Sequence, residues 1–225
     1  MRATLSCVRC AAPVDAPGWQ WRCASCGGPL DFDGEPELDA IVSLGEPATP
    51  LVEVTLGGLT VTAKLEGALP TGSFKDRGSR VVASALREYG VQGVVIDSSG
   101  NAGASLAAYC ARAGIVCEVY APASASATKL AQIRAYGARV VPIDGSRQDV
   151  TAAAVSAAYA SHAWTPWFLH GTTTFADEIY RQLARAPDAI VLPVGAGTLL
   201  LGIARGFAAL ARRGAVEAVP RIYAI

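Results

Sequence analysis

Apolar residues recur at helical spacing over Val81, Val82, Ala85, Leu86 and Tyr89, which predicts a helix over 76–89 with one buried face. Short apolar runs predict strands at 93–96, 116–120 and 139–143, and helical patterns at 102–113 and 127–136 fall between them. This alternation predicts βαβ units, hence a parallel sheet covered by helices on both faces. Upstream, Leu51-Val52-Glu53-Val54 and 59–64 read as two strands about Gly57-Gly58. Downstream, Ala-rich helices are predicted over 148–161 and 175–185, with Trp167-Phe168-Leu169 between them as a further strand. The run 189–194 reads as a buried strand that turns through Gly195-Ala196-Gly197-Thr198 into a helix marked by Leu199, Leu200, Ile203 and Phe207. Residues 31–50 are acidic and Pro-containing, a linker with a short helix around 38–44, and 221–225 reads as the middle of a buried strand.

Composition narrows the function classes. With 225 residues and 52% hydrophobic content, the chain can bury the core of one large or two small domains. Its formal net charge is zero, so nothing points to nucleic acid or an anionic membrane as the main partner. Residues 150–176 lack Asp, Glu, Lys and Arg, but Ser, Thr, two His, Pro and Gly interrupt any apolar run; 189–204 is too short and Gly-rich to cross a bilayer. Neither reads as membrane-embedded. The N-terminus shows no signal-peptide core, so a cytoplasmic location is expected.

The first 30 residues follow a different logic. Cys7 and Cys10 form one CxxC pair, Cys23 and Cys26 another, with 12 residues between the pairs and Gly27-Gly28 after the second. Four thiolates so arranged suit a tetrahedral zinc ion, which gives a segment without a core a reason to fold. With every ligand position filled by protein, such a zinc would be structural. Two disulfides are the rival reading, disfavoured in a cytosolic chain. Cys110 and Cys117 stand in apolar contexts and read as core thiols.

Candidate chemistry centres on Ser73-Phe74-Lys75-Asp76-Arg77-Gly78. Pro70-Thr71-Gly72 breaks the chain just before it, so Lys75 falls near a helix N-terminus. That end of a helix favours anions over ammonium groups, and a partly desolvated amine there can lose its proton and attack a carbonyl. The bland alternative is a solvated lysine in a charge cluster with Asp76 and Arg77. A second stretch, Ser98-Ser99-Gly100-Asn101-Ala102-Gly103, gathers main-chain N–H groups and the Asn101 amide at the carboxyl end of a strand, where α/β folds bind ligands. An ordinary βα turn is its alternative. A third, Gly195-Ala196-Gly197-Thr198, offers main-chain donors to an anion at a helix start; the rival nucleotide-binding turn finds no GxGxxG or Walker sequence here. His162 and His170 are isolated and read as packing or surface residues.

The three stretches, in this order, resemble the fold-type II pyridoxal-phosphate enzymes, the tryptophan-synthase-beta-like family, and the form PTGSFKDRG at 70–78 is most similar to its threonine synthase branch. The resemblance implies a two-lobed parallel-sheet α/β fold with pyridoxal 5'-phosphate in the cleft. Lys75 would be the Schiff-base lysine, Asn101 would bond the cofactor's ring oxygen, Ser98, Ser99 and Gly100 would hold the substrate carboxylate, and Gly195, Ala196, Gly197 and Thr198 would cradle the cofactor phosphate. An N-terminal zinc ribbon also occurs in some threonine-synthase-like proteins. The implied domains are a zinc ribbon at 1–30, a linker at 31–50 and the cofactor-binding domain at 51–225, with 75–167 forming most of one lobe and 51–74 and 168–225 part of the other.

The implied reaction converts O-phospho-L-homoserine and water to L-threonine and phosphate, with Lys75 moving protons at the substrate's α and β carbons. Arg77 or Lys129 would meet the substrate phosphate. In Gly171-Thr172-Thr173-Thr174, Thr173 stands where the family has a basic residue, which leaves the substrate open. A threonine or serine dehydratase-like enzyme, another β-replacement enzyme such as a cysteate synthase, and a non-catalytic zinc-ribbon interaction fragment are the alternatives. Family members are longer, so the second lobe is expected to be incomplete, with no residue to assign to the cofactor's ring nitrogen. A homodimer contact or a partner chain is expected to cover it.

Overall fold

The computed structural model describes residues 4–14, 18–155 and 158–225, with the Lys129 side chain also outside that set. The N-terminal unit is a small antiparallel sheet of β1 (Leu5–Cys7), β2 (Pro13–Val14) and β3 (Leu30–Phe32), with β1 in the middle. Its core is Leu5, Cys7, Cys23 and Leu30, too few apolar side chains to hold such a unit alone. An antiparallel hairpin follows, β4 (Leu51–Leu56) and β5 (Leu59–Lys64), turning at Gly57-Gly58, where both glycines have positive φ.

The βαβ region runs α1 (Lys75–Glu88), β6 (Gly93–Ile96), α2 (Asn101–Ala113), β7 (Val116–Pro122), α3 (Ala127–Ala135), β8 (Arg139–Ile143) and α4 (Arg147–Ala154). Its strands are parallel in the order β6-β7-β8, and Tyr159 adds a parallel bridge at Val95 on the free side of β6. A continuous core joins Val82, Leu86, Ile96, Leu106, Val119, Ile133, Trp167 and Phe168. Each such aliphatic side chain, fully buried, contributes about 1.5–3 kcal/mol. The chain then forms α5 (Pro166–Leu183), β9 (Ala189–Leu192), α6 (Thr198–Arg212) and β10 (Arg221–Ala224), the last parallel to β9. The result is an α/β fold with mixed parallel and antiparallel sheets.

Four local expectations change. Trp167-Phe168-Leu169 is the first turn of α5, because Pro166 at the helix start is already set for helical φ and lacks only an N–H that has no partner there anyway. The segment 38–44 is not helical; it lies against α1, with the Val42 amide bonded to Ser84 and the Asp39 amide to Glu88. The 148–161 helix ends at Ala154, its start set by a Ser146–Asp149 capping box, and 156–157 lie outside the described residues. The 221–225 strand is more exposed than its apolar sequence suggests. Tyr223 is 49% and Ile225 79% accessible, since β10 pairs with β9 and no other layer of the described residues covers that face.

Helix α5 is wedged between α1 and α6 at unusually close approach. A Cβ on Gly171 would lie 2.2 Å from the Arg77 carbonyl oxygen, and one on Gly202 would lie 2.1 Å from Thr172 Oγ1. Around the same contact a buried polar network ties α1, α5 and the hairpin. Arg77 donates from Nε to Glu66 at 2.6 Å and from Nη1 to Glu178 at 3.0 Å, while Lys64 pairs with Glu178 from the other side. Burial pushes the Glu178 carboxyl up, but the bonds from Arg77 and Lys64 hold it down at about 2.

Two outcomes are expected. Gly171→Ala lowers the free energy of unfolding by about 1–3 kcal/mol, the usual penalty of overpacking, read from urea denaturation. Because Glu178 has a depressed folded-state pKa, its contribution is complete above its ordinary carboxylate value and is lost as pH falls from about 4.5 towards 2; urea titrations across that window should show the loss, and Glu178→Gln should flatten it.

Candidate functional site

Lys75 is the first residue of α1, preceded by Phe74 at the cap. Its Nζ lies 4.3 Å from the Phe74 ring centroid and 5.6 Å from that of Phe168. Both rings strip water from the amine, and the attraction of their faces for its cationic form opposes part of that effect. Burial accordingly pushes the ammonium down to about 8, within reach of a neutral nucleophile near physiological pH.

The turn that carries Lys75 is rigid for a reason visible in the neighbouring carboxylate. Asp76, fully buried, accepts hydrogen bonds from the Thr71 amide at 2.8 Å, from the Thr71 hydroxyl, and from Ser105 on α2 at 2.6 Å. Gln132 on α3 bonds the Thr71 carbonyl at 2.9 Å. The breaker cluster before Lys75 is thus locked to two helices of the parallel-sheet region.

Lys75 shares a cavity of about 400 Å³ with Phe74, Pro193, Val194, Gly195, Ala196, Gly197, Thr198, Leu199, Leu200 and Ile225. Gly197 caps α6 with a φ of +78, a left-handed conformation that glycine adopts without strain. Among the described residues, the amides of Gly195, Ala196, Gly197 and Thr198 donate no backbone hydrogen bond. Open N–H groups at a helix start, lining one cavity with a desolvated amine, are groups that could hold a phosphorylated carbonyl compound. The chemistry of this donor set fits pyridoxal phosphate.

Asn101 begins α2 and Gly100 caps it in an extended conformation, with the Ser98 hydroxyl accepting from the Gly100 amide at 3.4 Å. Ser98, Ser99, Gly100 and Asn101 stand at the carboxyl end of β6 but do not line the 400 Å³ cavity. His162, close enough to Lys75 and Asp97 to feel both charges, carries no weight in the sequence pattern. Burial, with the charges of Lys75 and Arg147 and against that of Asp97, pushes its imidazole down to about 4, so it is neutral at pH 7. Its Nδ1 is buried without a hydrogen-bond partner among the described residues, and its ring meets Phe168 edge-on at 5.6 Å. Asp97, just before the loop, is bound by Tyr159, Thr151 and Arg147. A chain-neighbour pattern could flag Asp76, but nothing in the local sequence signals Asp97 or His162.

Arg77 does not reach this cavity: Glu66, Glu178 and Thr49 take up its guanidinium, which removes it as a substrate-phosphate ligand. Lys129 stands on α3 with its side chain outside the described residues. A larger cavity, about 550 Å³, opens between 31–36, α5 and α6 and contains none of the residues singled out from the sequence for catalysis.

The four N-terminal cysteines converge. Their sulfurs all lie within 4.8 Å of one another, with Cys7–Cys26 at 3.4 Å and Cys10–Cys23 at 3.7 Å. A tetrahedral Zn–S₄ centre with bonds near 2.3 Å places its sulfurs about 3.8 Å apart, while a disulfide needs about 2.05 Å. The Cys26 amide, helped by that of Ser25, holds the Cys23 thiol down to about 6, whereas, against the Gly28 amide, the sulfurs of Cys10 and Cys7 push the Cys26 thiol up. The geometry is that of a metal-binding cluster.

No helix of the described residues is long and apolar enough to cross a membrane. The family described as "Pyridoxal-phosphate dependent enzyme" matches residues 42–225. The threonine synthase of Methanocaldococcus jannaschii is 39% identical over 197 residues, covering 82% of this chain and 49% of that protein. The threonine synthase of Methanosarcina acetivorans is 32% identical over 258 aligned residues, 98% of this chain and 64% of that one. Among solved structures, maize serine racemase matches with a TM-score of 0.71 at 25% identity, covering 80% of this chain and 56% of its own. The chain spans about half the length of several curated relatives it matches.

Because burial depresses the Lys75 pKa, the folded state holds fewer protons than the unfolded chain between about pH 8 and 10.5, and stability rises with pH across that window. Lys75→Met is therefore expected to stabilise the protein at pH 7, with the gain shrinking by pH 10 when both are compared by urea unfolding.

Proposed function

The chain belongs to the pyridoxal-phosphate-dependent enzymes of fold type II, and on that premise we propose that it binds pyridoxal 5'-phosphate at Lys75 and acts on a small amino acid in the manner of threonine synthase. The observation that carries this reading is the shared cavity of the Lys75 amine and the unpartnered amides of Gly195 through Thr198. Those amides and the start of α6 would hold the cofactor phosphate, and Lys75 would bond its carbonyl carbon. Asn101 would bond the ring oxygen, and Ser98, Ser99 and Gly100 would receive the substrate carboxylate. Bound there, pyridoxal phosphate supplies an electron sink for carbanions at the substrate's α carbon and beyond.

The chain's own residues then handle position and protons. Lys75, with its pKa near 8, takes and returns protons at the α and β carbons. Phe74 and Phe168 keep water from its Nζ. Asp76 keeps the turn in place through Thr71 and Ser105. The substrate proposed is O-phospho-L-homoserine, giving L-threonine and phosphate with water; the threonine synthase relatives support it. A dehydratase-like reaction is the second reading, favoured by the likeness to a tomato threonine deaminase structure, TM-score 0.68 at 26% identity. The loss of Arg77 as a phosphate ligand also favours it.

Cys7, Cys10, Cys23 and Cys26 are proposed to bind zinc in a structural role. The exposed face of β9 and β10 is proposed to meet further polypeptide, from a second copy or a partner chain.

With added pyridoxal phosphate, purified protein should develop an absorption band near the visible edge, and borohydride should fix the cofactor to Lys75. Lys75→Ala should do neither. Release of phosphate from O-phosphohomoserine would support the synthase reading, whereas ammonia and oxo acid from L-threonine or L-serine would support the dehydratase. No band in folded wild-type protein would overturn the cofactor reading and leave the zinc-ribbon interaction fragment as the better one.

A further inference from the structure

The N-terminal cysteine unit does not merely precede the α/β region; its loop is driven into it. Trp21, two residues before Cys23, is 6% exposed, and its ring meets Tyr159 edge-on at 4.8 Å and Trp164 at 5.5 Å. Trp19 donates from Nε1 to the Tyr159 carbonyl at 3.1 Å. Tyr159 is 1% exposed, and its hydroxyl donates to Asp97 at 2.8 Å. Asp97 is 2% exposed and immediately precedes Ser98 at the mouth of the proposed substrate loop. A second arm runs through Trp164, whose amide bonds the Ser161 carbonyl at 3.0 Å, to Thr165, the cap of α5, one turn before Phe168 beneath Lys75.

We propose that the four-cysteine unit is a metal-dependent clamp on the catalytic site, acting through Trp21 and Tyr159 to hold Asp97 and the Ser98–Asn101 loop in place. The clamp rests on the reading that the cysteines bind zinc and that Lys75 and the loop form the cofactor site. Its physical basis is the small core of the N-terminal unit: Leu5, Cys7, Cys23 and Leu30 cannot order the backbone that carries Trp21 unless a cation ties the two knuckles together. Once ordered, that backbone fixes Trp21 against Tyr159, and Tyr159 fixes a carboxylate whose other partners, Thr151 and Arg147, come from a single helix, α4. Trp21 and Tyr159 are positioning residues; neither lines the Lys75 cavity.

The test uses the whole 225-residue chain, with zinc content, amide hydrogen exchange and pyridoxal phosphate affinity measured before and after chelation. Wild-type protein is expected to carry one zinc. On chelation it should lose protection at 97–101 and 161–167 and bind the cofactor at least tenfold more weakly, while the amides of 82–86 and 203–210 stay protected. Trp21→Ala should keep its zinc yet show the chelated pattern from the start, and Trp21→Phe should restore much of it. Tyr159→Phe should loosen 97–101 alone. Absence of zinc, unchanged exchange at 97–101 after chelation, or uniform loss of protection through the core would each overturn the clamp. Loss of protection at 97–101 in a protein that binds no cofactor would uphold the clamp and remove the cofactor reading instead.

Discussion

The close contact of α5 with α1 on one side and α6 on the other is the constraint on which the rest depends. Glycines at 171 and 202 let backbone and side-chain atoms approach to distances at which any Cβ would collide. Lys75 starts α1 and Thr198 starts α6, so this packing brings two helix N-termini from chain positions far apart to one cavity. Helix starts carry partial positive charge and open amides, which disfavours a protonated lysine and favours an anion in the same place. A lysine with a lowered pKa beside open amides at a helix start follows from how the helices pack.

Charge pairing reinforces that packing from behind. Arg77, two residues after Lys75, faces away from the cavity into a buried network with Glu66, Glu178 and Thr49, which fastens the β4–β5 hairpin and α5 to the first turn of α1. A desolvated guanidinium is tolerable only with its donors satisfied, and here two carboxylates and two hydroxyls, those of Thr49 and Thr174, satisfy them. Within one turn, then, the helix carries a cation flanked by two aromatic rings and a cation saturated with hydrogen-bond partners. The first is suited to chemistry and the second to holding the first in place.

The N-terminal unit adds a third layer of support. It reaches the parallel sheet through aromatic side chains rather than through strand pairing: Trp21 and Trp19 on Tyr159, and Phe32 on Trp167 at 4.7 Å. A bidentate pair between Arg205 and Asp31 joins the same unit to α6. The small unit is therefore connected to α5 and α6, although the cysteines and Lys75 occupy separate places.

Local pattern determined a great deal. The period of apolar residues places the strands β6, β7 and β8 and the helices between them, because each of those elements buries one face against its immediate neighbours in sequence. The CxxC spacing picks out four cysteines that the fold brings together, and the glycine-rich turns identify a lysine and two loops at helix starts, because those conformations are set by a few adjacent residues. Where the deciding partner is distant in sequence, the pattern is silent or misleading. Trp167 and Phe168 look like a strand from their composition but are helical because Pro166 starts a turn and the Phe168 ring fills the space beside Gly78. Arg77 looks available to a substrate phosphate until Glu66 and Glu178 are brought to it from 11 residues before and 101 residues after. His162 and Asp97 acquire meaning only through Lys75, Phe168, Tyr159 and Arg147, which tertiary packing alone assembles around them, since burial and charge are properties of the surroundings that no single stretch of chain carries.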